Sequence, residues 1–235
     1  MIRDGVLRGE VAEAARVLAR LRLVTAFGHV SARAGDSMLI TPAADLAGVT
    51  AASVIEVPLA ARDGALPAGA PAEAWAHLAL YRARPDAAAI ARAQPAAAFA
   101  VAAVATVMVP VHGQAAWLGE SVPVYDDAAL LRSPDQAERA ASCLPAGEAL
   151  LLRGNGALTL GAAPGLAVAR MWLLAAACDV YLTALSASGA NPVTTLSGGE
   201  IASWRAVGGE LLPRLWEHLR SRPGSGGPGT GEVQG

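Results

Sequence analysis

Two polar side chains end an apolar, alanine-rich stretch that otherwise has the character of a buried strand. The run 88–93 carries Arg92, and Gln94 and Pro95 follow immediately before an apolar helical pattern. On an extended backbone, residues two apart point to the same face, so Arg92 and Gln94 share one side of the strand. Strand ends that open into helices are frequent sites for small ligands. This stretch therefore predicts the floor of a small-molecule site.

A second group of chemically active side chains lies on a helix predicted over 73–84. Glu73, His77 and Tyr81 follow one another at four-residue spacing and so share one helix face. Glu73 could transfer a proton, but a carboxylate at a helix N-terminus is also electrostatically favourable without any chemistry. His77 likewise suits a structural histidine that supports the helix against a sheet. Both interpretations stay open for both residues.

Composition excludes several classes of function. The 235 residues include no lysine, so Schiff-base chemistry, including that of pyridoxal phosphate, and a Walker-type phosphate loop are excluded. The net charge of −2 and the dispersed arginines make nucleic acid and anionic membranes poor partners. The nearest approach to a membrane span, the apolar run 96–111, is shorter than the roughly 18 residues required. A small-molecule substrate is the better expectation.

The length and the pattern of the chain predict one α/β domain over residues 1–220 and a flexible Gly/Pro-rich tail over 221–235. The hydrophobic content of 54% indicates a large core extended by contacts between subunits, so we expect a homo-oligomer. The N-terminus lacks a signal-peptide pattern, which favours the cytoplasm. Cys143 and Cys178 lie far apart in the sequence and are expected to be free thiols.

Hydrophobic periodicity predicts an alternation of helices and strands. Asn155 and Gly156 separate two apolar runs, which predicts a hairpin with a type I′ turn. Helices are expected over 6–22, 73–84, 133–143 and 165–185, with one more that begins at Pro95 and a last one that ends near 220. Strands are expected over 26–33, 38–42, 54–58, 88–94, 107–110 and 121–124, and in the hairpin 149–161.

Six short motifs in this order resemble the class II aldolase/adducin family. They are Phe27-Gly-His-Val-Ser-Ala-Arg33, Leu39-Ile-Thr-Pro42, Glu73-x3-His77, Leu78-Ala-Leu-Tyr-Arg-Ala-Arg-Pro-Asp86, the strand that ends at Pro95, and the hairpin 150–161. The resemblance implies a three-layer α/β/α domain around a mainly antiparallel sheet. It also implies a tetramer with active sites between neighbouring subunits. Family members include sugar-phosphate aldolases, an epimerase, a dehydratase and decarboxylases, whose chemistry uses metal-stabilised enolates.

The sequence departs from this family at the metal ligands. The family strand ends in His-x-His-Pro and the later hairpin carries Asn-His-Gly, whereas Arg92, Gln94 and Asn155 occupy the three histidine positions here. Arginine has no lone pair to donate, and amide oxygens bind divalent transition metals weakly. We therefore expect no metal and no other cofactor. Arg92 either takes over the position of the cation or merely pairs with a carboxylate left by decay of the site.

The family's phosphate-binding motifs are also changed. Where sugar-phosphate members have Gly-Asn-x-Ser, Thr-Gly and Ser-Ser, this chain has Gly28-His29-Val-Ser31, Ala43-Ala44 and Pro71-Ala72. Lost hydroxyl and glycine amide donors argue against a phosphorylated sugar. His29 instead suits a branch with Gly-His-Ile-Ser, whose members are thought to decarboxylate non-phosphorylated acids.

Two functions remain at this stage. The first is a metal-independent lyase or isomerase that acts on a small non-phosphorylated carboxylate or ketone, by decarboxylation or retro-aldol cleavage. The second is a non-catalytic scaffold or binding protein, as adducin-type relatives suggest. For the enzyme, the expected catalytic residues are Glu73, Arg92 and His29, and the expected substrate-binding residues are Gln94, Asn155, Ser31 and His77.

Overall fold

The computed structural model describes residues 2–62 and 66–222. Within this part of the chain there are six α-helices and eight β-strands. The helices are α1 (Ile2–Arg20), α2 (Ala74–Ala83), α3 (Ala96–Val104), α4 (Pro134–Ser142), α5 (Pro164–Ser188) and α6 (Gly198–Ser221). The strands are β1 (His29–Ala34), β2 (Ser37–Ile40), β3 (Ile55–Pro58), β4 (Ala89–Ala93), β5 (Val107–Met108), β6 (Val122–Tyr125), β7 (Ala149–Leu152) and β8 (Gly156–Gly161).

The strands form one sheet in the order β3-β2-β1-β4-β8-β7-β6-β5. All neighbouring strands of this sheet run antiparallel except β6 and β7, which are parallel. The centre of the sheet is therefore β1, β4 and β8, with β4 buried along its whole length. The expected mainly antiparallel α/β sheet is confirmed.

Helices cover both faces of the sheet, because successive side chains of each strand point to opposite sides. Ala91 and Leu151 pack in a core with α1, α3 and α5. Ile90 and Leu150, their neighbours along the chain, pack in a second core with α2 and α4. The predicted three-layer α/β/α arrangement follows from this alternation.

α5 is the central helix of the larger core. The helix has 25 residues, and its most apolar stretch has a mean hydropathy of 1.5. By length and composition alone it could cross a membrane, but half of that stretch is buried within the protein. The sequence prediction that the run 96–111 comes closest to a span is therefore wrong. Packing against β4, β8 and α3 gives α5 the character of a core helix.

The predicted elements are present, with ends that differ by a few residues. The largest difference is β5, expected over 107–110 but limited to two residues, because the chain leaves the sheet edge and enters a short 3-10 helix at Gly113–Leu118. Of the expected tail, residues 223–235 lie outside the described part of the chain.

The β7–β8 hairpin differs from the prediction in its turn. A type I′ turn requires positive φ at both central residues. Positive φ occurs instead at Gly154 (69°) and Gly156 (91°), and Asn155 between them does not have it. The predicted type I′ turn at Asn155-Gly156 is therefore wrong. The different backbone turns the Asn155 side chain inwards, where the residue is 3% exposed.

Gly156 holds this hairpin against the end of β4. A Cβ atom at Gly156 would lie 2.2 Å from the carbonyl oxygen of Ala93 and 3.0 Å from Cα of Gln94. We expect Gly156→Ala to lower the free energy of unfolding by about 3 kcal/mol, through strain at positive φ and displacement of β4. Urea denaturation measures this difference.

Gly9→Ala in α1 is the matched control. A Cβ atom there meets nothing within 4 Å, so the substitution should be neutral or stabilise the protein by about 0.5–1 kcal/mol. Equal effects of the two substitutions would contradict the close approach of the hairpin to β4.

Candidate active site

The register of β1 and β4 brings two predicted site residues together at one end of the sheet. His29 is the direct antiparallel partner of Arg92, so both side chains lie on the same face. Ser31, two residues along β1, shares that face. This is the face covered by α2, and the site is therefore built between the sheet and α2.

Arg92 is a buried cation at the base of this region. The residue is 4% exposed, and its Nη2 donates to the backbone oxygen of Asn155 at 3.1 Å and to the Asn155 side-chain oxygen. In residues 2–62 and 66–222, no carboxylate lies within 4.0 Å of its guanidinium. Burial lowers the pKa of Arg92, and the charge of Glu73 partly opposes this effect. A buried guanidinium held only by neutral acceptors makes this end of the sheet electropositive.

Four side chains from β1 and α2 form a buried cluster beside Arg92. The Ser31 hydroxyl lies 2.8 Å from Nδ1 of His77 and 2.8 Å from the Tyr81 hydroxyl. The rings of His29 and His77 meet edge to face, with centroids 5.9 Å apart. Nδ1 of His29 and Nε2 of His77 are buried and have no hydrogen-bond partner.

The histidines of this cluster are neutral at physiological pH. Burial, and secondarily the charge of Arg92, lowers the pKa of His29 to about 3. Burial also holds the pKa of His77 well below its ordinary value, with smaller contributions from His29 and Arg92. For Tyr81, burial raises the pKa of the hydroxyl. The cluster therefore provides hydrogen-bonding groups without a net charge of its own.

A cleft of about 390 Å³ opens above this cluster. Glu73 and His29 contribute polar groups to its wall. The side chain of Glu73 is 15% exposed and accepts a hydrogen bond from Nε of Arg132 at 3.2 Å. The other lining residues are Ala26, Phe27, Gly28, Ala43, Ala44, Asp45, Pro71, Ala72 and Arg132. Another cleft, of about 310 Å³ and bordered by Cys143 and Arg205, shares no lining residue with this one.

The predicted site residues thus occupy two levels. Glu73 and His29 line the cleft, whereas the other predicted residues apart from Gln94 are buried behind it: Ser31, His77, Arg92 and Asn155. Gln94 is half-buried, and its backbone N–H donates to Leu23. Glu73 precedes α2 at the N-cap and does not lie in the first helical turn, where the sequence pattern had placed it.

Sequence reasoning missed two components of the site. Arg132 comes from a loop before α4, where nothing in the local pattern indicates a contact with Glu73. The hydrogen-bonded chain from Tyr81 to His77 was within reach, because alternation along β1 and four-residue spacing along α2 place Ser31, His77 and Tyr81 on facing surfaces.

Comparison with known proteins decides the family. The family model described as "Class II Aldolase and Adducin N-terminal domain" matches residues 9–182. The chain belongs to the class II aldolase and adducin family. No curated protein sequence matches it significantly.

Several solved structures share the fold. The L-fuculose-1-phosphate aldolase of Thermus thermophilus is 28% identical, with a TM-score of 0.70 over 82% of this chain and 100% of its own. An aldolase II superfamily protein of Pseudomonas syringae is 23% identical, with a TM-score of 0.75 over 92% and 91% of the two chains. YgbL of Escherichia coli is 22% identical, with a TM-score of 0.72 over 86% and 99%.

The residues at the family's metal position do not fit a divalent cation. The guanidinium of Arg92, hydrogen-bonded to Asn155, lies where the family resemblance implies imidazole ligands. A guanidinium donates hydrogen bonds and cannot coordinate a metal. Among the described residues, no group of three or more His, Cys, Asp or Glu side chains is arranged to hold a metal ion. In this class II aldolase homologue, the side chains at the metal position are therefore of the wrong kind to bind a metal ion.

The low pKa of His29 predicts acid sensitivity. The unfolded chain takes up a proton near pH 6.5 but folded His29 does so only near pH 3, so the unfolded state binds more protons between these values. The contribution of His29 to stability is complete above pH 6.5 and is lost as the pH falls. The loss should amount to about 2 kcal/mol by pH 5. Urea denaturation at pH 7.5 and pH 5 measures it.

His29→Asn should remove that part of the pH dependence. His218→Asn, at the exposed end of α6, serves as the control and should leave it intact. If His29→Asn and the wild type lose equal stability between pH 7.5 and pH 5, His29 does not become harder to protonate on folding.

Proposed function

We propose that this protein is a metal-independent lyase or isomerase that acts on a small, non-phosphorylated carboxylate or ketone. The observation that carries the proposal is the buried cation of Arg92, which has no carboxylate within 4.0 Å in the described part of the chain and feels the charge of Glu73 from further away. Family membership gives the general class of chemistry. The charges around the cleft support an anionic substrate.

The buried charge of Arg92 favours an anionic ligand. Arg92 beneath the cleft and Arg132 at its rim carry two positive charges, against the negative charges of Glu73 and Asp45 in the wall. Glu73 is paired with Arg132, and Asp45 is exposed to solvent and accepts a hydrogen bond from the backbone of Ala47. The buried charge of Arg92 is therefore the one that acts most strongly on a ligand. In a low-dielectric site this charge acts strongly on a carboxylate or on an enolate oxygen that forms nearby. The volume of about 390 Å³ suits a small molecule.

The walls of the cleft argue against a phosphate group. Ala43, Ala44 and Ala72 present methyl groups where the sugar-phosphate members of the resemblance have hydroxyl and glycine donors. Asp45 adds a negative charge, which repels a phosphate dianion more strongly than a carboxylate monoanion. The phosphorylated sugar for which the Thermus thermophilus aldolase is named therefore does not transfer to this chain.

The chemistry follows from these positions. In a 3-keto acid or a β-hydroxy carbonyl compound, the bond between the α carbon and the next carbon breaks, with loss of carbon dioxide or of an aldehyde. Its electrons form the carbon–carbon double bond of an enolate, and the negative charge comes to lie on the former carbonyl oxygen. Arg92 stabilises this negative charge by its electrostatic field and not as a Lewis acid. Glu73 transfers the proton: it accepts one from the substrate hydroxyl in a retro-aldol step, and it returns one to the enolate carbon.

Two further properties belong to the proposal. Large apolar side chains are exposed on α5 and α6, at Val180, Leu185, Trp204 and Val207, and this supports a homo-oligomer, for which the resemblance suggests a tetramer. Cys143 and Cys178 are both free, which suits the reducing cytoplasm. Light scattering after gel filtration measures the mass of the assembly.

One observation favours the alternative of a non-catalytic scaffold. Arg92 is tied to Asn155 and is only 4% exposed, so its guanidinium reaches a ligand chiefly through its field. In that case Arg92 fills the former metal position as a structural group, and the cleft performs no turnover.

A binding and turnover screen separates the two functions. The probes are 3-keto acids and 4-hydroxy-2-keto acids and their phosphorylated counterparts, tested for a rise in Tm and for loss of substrate. We expect a non-phosphorylated acid to bind and to be consumed. Glu73→Gln should retain binding but lose at least about 100-fold in turnover, because the proton-transfer group is gone. Arg92→Gln should weaken binding about tenfold or more, because the buried positive charge that attracts the anion is lost.

Arg92→Lys keeps the buried charge and should retain more binding than Arg92→Gln. Arg214→Gln, on the exposed face of α6, controls for a general loss of positive charge. Binding without turnover in the wild type would support the scaffold, and unchanged turnover in Glu73→Gln would contradict the assigned role of Glu73.

A further inference from the structure

Three buried residues, Tyr81, Ser31 and His77, form a chain of hydrogen bonds. The number of polar groups left unsatisfied decides which atom donates in each bond. The chain links a phenol, a hydroxyl and Nδ1 of an imidazole through two contacts of 2.8 Å. All three residues are at most 1% exposed. Each proton in the chain must therefore find its acceptor inside the protein.

In two proton arrangements Ser31 donates to one of its neighbours; a third, in which Ser31 accepts from both, leaves the Ser31 proton and Nε2 of His77 unsatisfied. In the first, Tyr81 donates to Ser31, Ser31 donates to Nδ1 of His77, and the His77 proton lies on Nε2. In the second, Nδ1 of His77 donates to Ser31 and Ser31 donates to Tyr81, so the Tyr81 proton loses its acceptor and Nε2 of His77 remains an unused acceptor. The second arrangement leaves two buried groups unsatisfied and the first leaves one. Since each such group costs about 1–3 kcal/mol, the first arrangement is favoured.

This arrangement places a buried donor beside His29. Nε2–H of His77 has no acceptor, and the ring that meets His77 edge to face belongs to His29. Nδ1 of His29 is also buried and unpartnered. A proton on that atom would put two unsatisfied donors in the same dry site, next to the cation of Arg92. An unprotonated Nδ1 avoids this, so the single proton of neutral His29 lies on Nε2.

Nε2 is the ring nitrogen of His29 that reaches the cleft. His29 lines the cleft, and of its two ring nitrogens only Nδ1 is a buried atom without a partner. The tautomer of His29 therefore decides whether the cleft wall presents a hydrogen-bond donor or a base.

We propose that the Tyr81–Ser31–His77 chain is a positioning relay that fixes His29 as the neutral Nε2–H tautomer, so that His29 presents a donor to an anionic oxygen of the ligand. Ser31, His77 and Tyr81 are positioning residues, because they act through His29. The relay makes the cleft selective for ligands with an acceptor at this point, such as a carboxylate or enolate oxygen. The identity of that acceptor rests on the proposed function, whereas the tautomer does not.

The test uses the ligand-free protein with ¹⁵N-labelled histidine. The ¹⁵N chemical shifts of the four imidazole rings, measured by magic-angle-spinning NMR at pH 7.5, distinguish protonated from unprotonated ring nitrogens. His29→Gln and His77→Gln assign the signals. We expect both His29 and His77 to be neutral, with protonated Nε2 and unprotonated Nδ1. A protonated Nδ1 at His29, or a charged His29, overturns the proposal.

Ser31→Ala tests the relay itself. It cuts the hydrogen bond to His77, so both rings should become mixtures of tautomers. Thr159→Val is the matched control, because it removes a buried hydroxyl from β8 that bonds to Ala167 and not to this cluster. It should leave the shifts unchanged. If His29 keeps a pure Nε2–H tautomer in Ser31→Ala, the relay does not fix it. Absence of turnover with an intact tautomer would contradict only the proposed function.

Discussion

The structure of the site depends on one buried interaction, the hydrogen bonds from the Arg92 guanidinium to Asn155. They join the end of β4 to the β7–β8 hairpin at the position where the family resemblance calls for a metal and its imidazole ligands. A buried cation requires acceptors close by, and Asn155 supplies two oxygens because its side chain turns inwards. The close approach of Gly156 to Ala93 makes this geometry possible, since any side chain at that glycine would push the hairpin away.

The same cation shapes the chemistry of its neighbours. His29 is opposite Arg92 in the sheet register, and its pKa falls because of burial and of this positive charge. Neutral imidazoles can then pack beside the guanidinium without charge repulsion. In the function that we propose, a fixed positive charge, neutral hydrogen-bonding rings and the carboxylate of Glu73 together polarise an anionic ligand.

Much of the fold could be predicted from the sequence, because it depends on local patterns. Alternation along β1 and β4 and helical spacing along α2 already place His29 with Ser31, and His77 with Tyr81. The pairing of His29 with Arg92 requires the register between strands distant in sequence, which no local pattern contains. The turn at Asn155 was mispredicted because Asn-Gly favours type I′ when only local energetics act. Here the buried contact with Arg92 and the positive φ of the neighbouring Gly154 outweigh the local preference for a type I′ turn. Arg132 reaches Glu73 from a loop, and loop conformation is not encoded in periodicity.

We infer that Arg92, hydrogen-bonded to Asn155, takes the place of the metal in a preserved fold. This replacement is tested most directly by zinc content, measured by mass spectrometry after purification with excess zinc and gel filtration. The wild type should hold far less than one equivalent, whereas the triple variant Arg92→His/Gln94→His/Asn155→His should gain about one equivalent, because three imidazoles at these positions form a zinc site. The double variant Arg92→His/Gln94→His should bind zinc more weakly. Stoichiometric zinc in the wild type would contradict the account.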